Sequence, residues 1–114
     1  MSLTRRALEL RDNYLFTTDV VLLLCSASWE INPTDDQIEQ SIIEAIGNPE
    51  VSVIWNGIGN DIKLTYRVAV DSNSEINKLV LKKQSDYIAV FTPLIPIKYT
   101  IGQEIIINGN SSSD

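Results

Sequence analysis

The stretch Asp19–Cys25, DVVLLLC, decides which fold the sequence predicts, because it fits either a helix or a strand. On the helical interpretation, apolar and small residues recur at alternating steps of four and three from residue 3 to residue 28. This face consists of Leu3, Ala7, Leu10, Tyr14, Thr17, Val21, Leu24 and Ser28. The charged residues on the other side are Arg5, Glu9, Asp12, Asp19 and Glu30. The pattern favours one long amphipathic helix.

The alternative is that DVVLLLC forms a central strand. Thr17, Thr18, Val20 and Val21 are β-branched, and such side chains pack well on a pleated sheet and lower helix propensity. A hinge at residues 17–19 would reconcile the two interpretations. We favour the helix and keep the strand as the alternative.

A second, shorter helix is predicted after Pro33. Thr34 and Gln37 have the spacing of a capping box, and Asp35 and Asp36 place negative charge in the first turn, where it complements the helix dipole. The predicted buried face is Ile38, Ile42, Ala45 and Ile46, and the predicted wet face is Glu39, Gln40 and Glu44. Gly47-Asn48-Pro49 supplies a stop, so we expect the helix to end near Ile46.

After Pro49 the apolar period becomes two, which indicates strands. The first contains Val51, Val53 and Trp55, and a turn at NGIGND leads into IKLTYRVAV. In that run Ile62, Leu64, Tyr66, Val68 and Val70 point to the core, while Lys63, Thr65 and Arg67 point to water. DSNSEIN is expected to be a loop. Leu79 and Leu81 mark a strand that forms a hairpin with Tyr87–Phe91, and the last predicted strand is Glu104–Asn108.

Two prolines interrupt the apolar stretch YIAVFTPLIPIKY, residues 87–99. Proline cannot donate to a strand ladder, so Pro93 should end the strand and TPLIP should cross over from the sheet edge. The sequence therefore predicts one α+β domain over residues 1–107, followed by a disordered tail at 108–114. In it, a long N-terminal helix and a second short helix pack on one face of a mostly antiparallel sheet of four to five strands.

The composition argues against some classes of function but does not identify one. Nine Lys and Arg against 15 Asp and Glu give a formal charge of −6, which argues against nucleic acid as a partner. The 114 residues include no histidine, the commonest general base near neutral pH, so we expect no enzyme activity and no cofactor. The single Cys25 lies in an apolar run and is expected to be a buried, inert thiol.

The motifs that resemble ligand sites are better explained as ordinary structure. Gly57 and Gly59 lack the third glycine of a dinucleotide loop, and DSNSE lacks the glycine and the final glutamate of a calcium loop. Adjacent Asp35 and Asp36 diverge on a helix, so no metal site is predicted. Lys78, Lys82 and Lys83 are interpreted as protection of a hairpin edge. Trp29 and Trp55 are assigned to the core, with a partner contact as the alternative.

The stretch IPIKYTIGQEIIIN, residues 95–108, combines high β-propensity with little charge. A strand of this kind invites pairing with another chain if it lies uncovered at a sheet edge. We therefore expect it to be either internal or an assembly surface.

The carboxyl-terminal third resembles the outer domain of TadE-like pilus assembly proteins, the minor pilins of bacterial tight-adherence pili. The matching residues are Tyr87, Phe91, Thr92, Pro93, Leu94, Gly102 and Ile105–Ile107. The family's membrane helix is missing here, as is the arginine- and alanine-rich segment after it. If MSL is an added leader, the helix from Leu3 would be the lower half of a pilin-type helix whose membrane part was removed.

The resemblance implies a non-enzymatic subunit, outside the cytoplasm, that binds other pilin subunits or copies of itself. The candidate partner-binding residues are Leu3, Ala7, Leu10, Tyr14, Pro93 and Pro96. The alternative is a small acidic binding module, such as a phage structural or inhibitor protein, which would be cytoplasmic if the chain is complete and would bind a basic partner.

Overall fold

The computed structural model describes residues 5–30, 32–57, 59–69 and 71–112. In this part of the chain, two short helices accompany nine strands. The elements are α1 (Arg5–Thr17), β1 (Val20–Cys25), α2 (Asp35–Ser41), β2 (Ile42–Gly47), β3 (Glu50–Trp55), β4 (Gly59–Arg67), β5 (Ser72–Ile76), β6 (Lys78–Lys83), β7 (Asp86–Phe91), β8 (Ile97–Tyr99) and β9 (Glu104–Ser112).

The strands form three antiparallel sheets rather than the single sheet predicted from the sequence. A four-stranded sheet has the order β2-β1-β6-β7, a three-stranded sheet has the order β3-β4-β9, and β5 pairs with β8. The predicted α+β fold, with a long helix on a sheet of four to five strands, is therefore wrong. The chain is mostly antiparallel sheet with only short helices in its described part.

The stretch DVVLLLC is a central strand, and the predicted long helix is wrong at this point. Helix α1 ends at Thr17, and Asp19 has a positive φ of 53°, a left-handed conformation that a helix cannot continue through. Strand β1 follows, with β2 on one side and β6 on the other. The β-branched residues that argued for a strand prevail over the helical period.

Both faces of β1 are buried, which explains why its sequence does not alternate. Leu22 and Leu24 pack into the main core, while Leu23 and Cys25 pack into a second cluster on the opposite face. A strand covered on both faces reads as a continuous apolar run, and such a run cannot be distinguished from a buried helix by period alone.

The main core lies between the four-stranded and the three-stranded sheets. Leu22 and Leu24 of β1 and Leu79 and Leu81 of β6 are in the same cluster as the inward residues of β4. These inward residues are Ile62, Leu64 and Tyr66, and Val68 follows them just after β4. All four are buried, as the alternation of IKLTYRVAV predicts. Val70, the last residue of that predicted face, lies outside the described residues.

Helix α2 begins where its capping box predicts. The Gln37 backbone N–H donates to Oγ1 of Thr34, and the Thr34 backbone N–H donates to Oε1 of Gln37. The helix ends at Ser41, because Ile42 has a ψ of 126° and begins β2. The predicted end near Ile46 is therefore wrong. Ile38 packs in the second cluster on the far face of β1.

The later strands follow the prediction in outline. The β3–β4 turn and the β6–β7 hairpin are confirmed. The expected loop DSNSEIN is wrong, because residues 72–76 form β5. The crossover is confirmed, since the chain leaves β7 at Phe91 and next pairs as β8 with β5 in another sheet. Residues 108–112, expected in a tail, belong to β9.

Candidate interaction surface

The predicted partner-binding residues belong to two separate elements. On α1, Ala7 is half-buried, and Leu10 and Tyr14 are exposed. In the crossover after β7, Pro93 is half-buried and Pro96 is exposed. Leu3 lies outside the described residues. Because α1 ends at Thr17, the first group does not continue along a rod to Ser28 as predicted.

The lysines of β6 do not protect an edge, so that interpretation is wrong. Strand β6 is an interior strand between β1 and β7. Lys83 fixes the end of α1: its Nζ donates to the carbonyl oxygens of Tyr14 at 3.2 Å and Thr18 at 2.6 Å, and lies 4.4 Å from the Tyr14 ring centroid. The other two lysines also lie over aromatic rings: Nζ of Lys78 over Trp29 and Nζ of Lys82 over Tyr87.

Strand β9 is an edge strand along its whole length. It pairs with β4 over nine residues, from Glu104 opposite Arg67 to Ser112 opposite Gly59, with no shift of register. Its other side has no paired strand within the ranges described above. We call this unpaired side of residues 104–112 the open edge. The sequence predicts that residues 95–108 are either internal or an assembly surface, and the internal alternative is wrong for EIIIN because β9 lies at a sheet edge.

The open edge lacks the devices that normally prevent strands from associating. Exposed edges are usually protected by lysine, proline, bulges or inward-pointing charges. Residues 105–113 contain no charged residue and no proline, and Glu104 is the one charge within β9. The pairing of β9 with β4 has no bulge.

Strand β2, at one edge of the four-stranded sheet, carries two of these devices. Glu44 points inward and is only 8% exposed, although the helical interpretation put it in water. Its Oε1 accepts a hydrogen bond from the Ala69 backbone N–H at 2.7 Å. The pairing of β1 with β2 also shifts between Leu24 and Cys25. An inward charge and a bulge make this edge a poor template for another strand.

The other edge strands are short or have partial protection. Strands β5 and β8 of the two-stranded sheet have five and three residues, and their pairing shifts between Ser72 and Ile76. Strand β3, at the far edge of the three-stranded sheet, contacts helix α1. The pairing of β7 with β6 shifts between Leu81 and Lys82, and the chain leaves β7 for Pro93 within two residues of its end. In the part of the chain that the structure covers, β9 is therefore the long edge without protection.

The end of β7 faces the middle of β9 across a cleft of about 210 Å³. It is lined by residues 90–93 and 107–110, and we call it the β7–β9 cleft. Here Gly109 lies against the Phe91 ring so closely that a Cβ at position 109 would overlap ring atoms Cδ1 and Cε1. The glycine is required by this close approach rather than by its backbone angles.

Exposed apolar side chains are concentrated around this cleft. Val90 on β7 is 44% exposed, and Ile106 on β9 is 52% exposed. Leu94 and Ile95 follow Pro93 directly and are 103% and 78% exposed. Residues 87–97 contain no charge. Apolar groups exposed together on a soluble domain commonly mark an interaction site.

A buried polar cluster lies at the other end of the same sheets. Burial raises the pKa of the Tyr66 hydroxyl well above its usual range, and the nearby Tyr99 and Glu44 raise it further. Among the described residues, neither the Tyr66 hydroxyl nor Oε2 of Glu44 has a hydrogen-bond partner. Tyr66 also lines a cleft of about 380 Å³, with the exposed Arg67–Glu104 ion pair (3.4 Å) among its lining residues.

No group of three or more His, Cys, Asp or Glu residues that could hold a metal ion occurs in residues 5–30, 32–57, 59–69 and 71–112. Cys25 is fully buried, as predicted. Burial raises the pKa of its thiol, and a hydrogen bond with Ser41 offsets only part of this rise. Such a thiol is a poor nucleophile.

No family model, curated protein or solved structure matches this chain. Within the described residues, no helix is both long and apolar enough to cross a membrane.

Proposed function

We propose that this chain is a non-enzymatic assembly domain that binds another protein by accepting its strand along the open edge. The observation that carries the proposal is the contrast between β9 and the other edges. Its nine residues run beside β4 without a bulge, a lysine, a proline or an inward charge. Backbone hydrogen bonds to an added strand supply affinity in this mode of recognition, and neighbouring side chains supply specificity.

The exposed apolar side chains near the edge support the same function. Ile106 lies on the outer face of β9, and Val90 lines the β7–β9 cleft. Leu94 and Ile95 extend from the adjoining crossover. A partner strand on β9 would remove part of this apolar surface from water, which is worth about 25 cal/mol for each Å² buried.

Two more specific versions of this function remain as proposals. A pilus subunit, located outside the cytoplasm, is supported by the resemblance of Tyr87, Phe91, Thr92, Pro93 and Leu94 to the TadE-like proteins. The predicted long pilin-type helix does not support this version, because α1 ends at Thr17. A binding module for a basic partner is supported by the net charge of −6, although the open edge itself is nearly neutral.

Site-specific photo-crosslinking in cells that make the full-length protein tests the proposal. A photoreactive phenylalanine analogue replaces Ile106, which is 52% exposed on β9, or Ile54, which is 63% exposed on β3 of the same sheet. Both positions have similar exposure, so Ile54 is the matched control. We expect a discrete adduct from position 106 and none from position 54. No adduct from position 106, or equal adducts from both, would overturn the proposal.

A further inference from the structure

We propose that the strand accepted by the open edge is β9 of a second copy of this chain, so that two chains join their three-stranded sheets into one six-stranded sheet. This inference rests on the proposed function and names its partner. The two strands would run antiparallel about a two-fold axis, in the self-complementary arrangement common to homodimers. The axis would pass beside Asn108, the middle residue of Glu104–Ser112.

The charges of β9 fit a second copy. When all nine residues overlap, Glu104 of one chain lies opposite residue 112 of the other, so no two like charges face each other. Like charges directly opposite on paired strands are destabilising. A basic partner would find only Glu104 as a carboxylate within the strand, so an edge with as little charge is the better match.

The side chains of β9 also match in this register. On the inward side of the strand, the half-buried Ile107 would lie opposite Gly109 of the second copy. The Phe91 ring of the second copy fills the space of the missing side chain at that position, so Ile107 would pack against an aromatic ring. The β7–β9 cleft adjoins these positions. On the outward side, the exposed Ile106 would pair with Asn110 and lose part of its exposed surface.

The net charge gives the association a characteristic salt dependence. Two chains of charge −6 repel each other at long range, and salt screens this repulsion with a Debye length of about 10 Å at 0.1 M. Added salt should therefore strengthen the pairing of two copies. It would weaken binding to a basic partner, because attraction between opposite charges is screened in the same way.

Charge variants at the two-fold axis test the register. Asn108 and Ser52 are both exposed, and each lies opposite Lys63 of β4, Asn108 on the β9 side and Ser52 on the β3 side. Asn108→Glu and Ser52→Glu thus place the same carboxylate beside the same lysine. Only Asn108→Glu would set two carboxylates directly opposite each other in the dimer.

Sedimentation velocity on the full chain, over a range of concentration and salt, measures the dissociation constant. We expect a dimer for the unaltered chain and for Ser52→Glu, and a dissociation constant raised about two- to fivefold for Asn108→Glu. Asn108→Lys should weaken self-association in the same way. An equal mixture of the Asn108→Glu and Asn108→Lys chains should pair at least as well as the unaltered chain, because opposite charges then meet at the axis.

The inference is overturned if the unaltered chain stays monomeric, if salt weakens its association, or if the two Asn108 variants fail to rescue each other. A photo-crosslink from position 106 to a different protein, together with a monomeric purified chain, would overturn this inference and leave the proposed function standing. The absence of any crosslink from position 106 would overturn the proposed function itself.

Discussion

Strands β2 and β9 are both sheet edges, but only β2 is built to stay unpaired. Strand β2 turns the carboxylate of Glu44 inward and shifts its register against β1 between Leu24 and Cys25. Strand β9 continues without interruption along β4 and turns isoleucine inward. The two edges therefore differ in how readily each could accept another strand: β2 carries two devices that hinder pairing, and β9 carries neither.

Alanine substitution of the glycine on each edge should give the largest difference in the free energy of unfolding between a β9 variant and a β2 variant. Gly109→Ala should lower the free energy of unfolding by about 1–3 kcal/mol, because the new methyl group overlaps the Phe91 ring and forces β7 and β9 apart. Gly47→Ala on β2 is the matched control, since a Cβ there meets nothing within 4 Å. It should leave stability unchanged or raise it by about 0.4–1 kcal/mol.

Chemical denaturation of the two glycine variants measures this difference. Equal losses of stability in both variants would show that the close approach of Phe91 to Gly109 does not hold the edges together.

Removing the inward charge of β2 should reduce the difference between the edges, since only the register shift against β1 then remains. Glu44→Leu loses the hydrogen bond from Ala69 but also removes a buried carboxylate oxygen that has no partner in the described residues. We expect these effects to offset, so that the free energy of unfolding changes by less than about 1 kcal/mol. The variant should nevertheless associate more strongly, because β2 is now a second edge without an inward charge.

Light scattering against protein concentration checks the Glu44 prediction. Glu50→Leu, which removes the same charge from an exposed position on β3, is the control. If Glu44→Leu scattered no more light than Glu50→Leu, the inward charge would have no protective role.

The burial of Tyr66 predicts how stability depends on pH. In the folded chain, burial, Tyr99 and Glu44 raise the pKa of Tyr66 above its ordinary value of 10.0. Between that value and the raised one, the unfolded chain has released the proton and the folded chain has not. The stability that Tyr66 contributes is therefore present below about pH 10 and is lost as pH rises, by up to about 1.4 kcal/mol for each pH unit.

Tyr66→Phe should reduce this alkaline fall in stability. At neutral pH it should be neutral or stabilising by up to about 1 kcal/mol, because the hydroxyl it removes has no hydrogen-bond partner among the described residues. Denaturation curves from pH 8 to pH 11 are the measurement. A fall of the same slope in the variant would mean that the folded chain does not raise the pKa of Tyr66.

The parts of the fold with local signals could be predicted from the sequence. The capping box of Thr34 and Gln37 marks the start of α2, and the alternation of IKLTYRVAV gives the buried face of β4. Both signals arise from a few neighbouring residues that have one solvated side. Strand β1 has no solvated face, so its six apolar residues show no alternation. Their spacing fits a helical period by chance, which is why the sequence favoured a helix.

The interaction surface could be predicted only in part. The low charge of residues 95–108 and its two possible roles are visible in the sequence, and so is the stop at Pro93. The role of Glu44 was not predictable once residues 42–46 were assigned to a helix, because the inward face of an edge strand exists only after the strands are paired. Strand order depends on contacts between residues far apart in the chain, which no local pattern records.

Backbone hydrogen exchange tests the central claim most directly, because it reports on each edge separately. We expect amides of residues 104–112 to become more protected as protein concentration rises through the dimer dissociation constant, while amides of β2 stay unchanged. Protection that is independent of concentration in both edges, or that rises in β2 rather than in β9, would contradict the account.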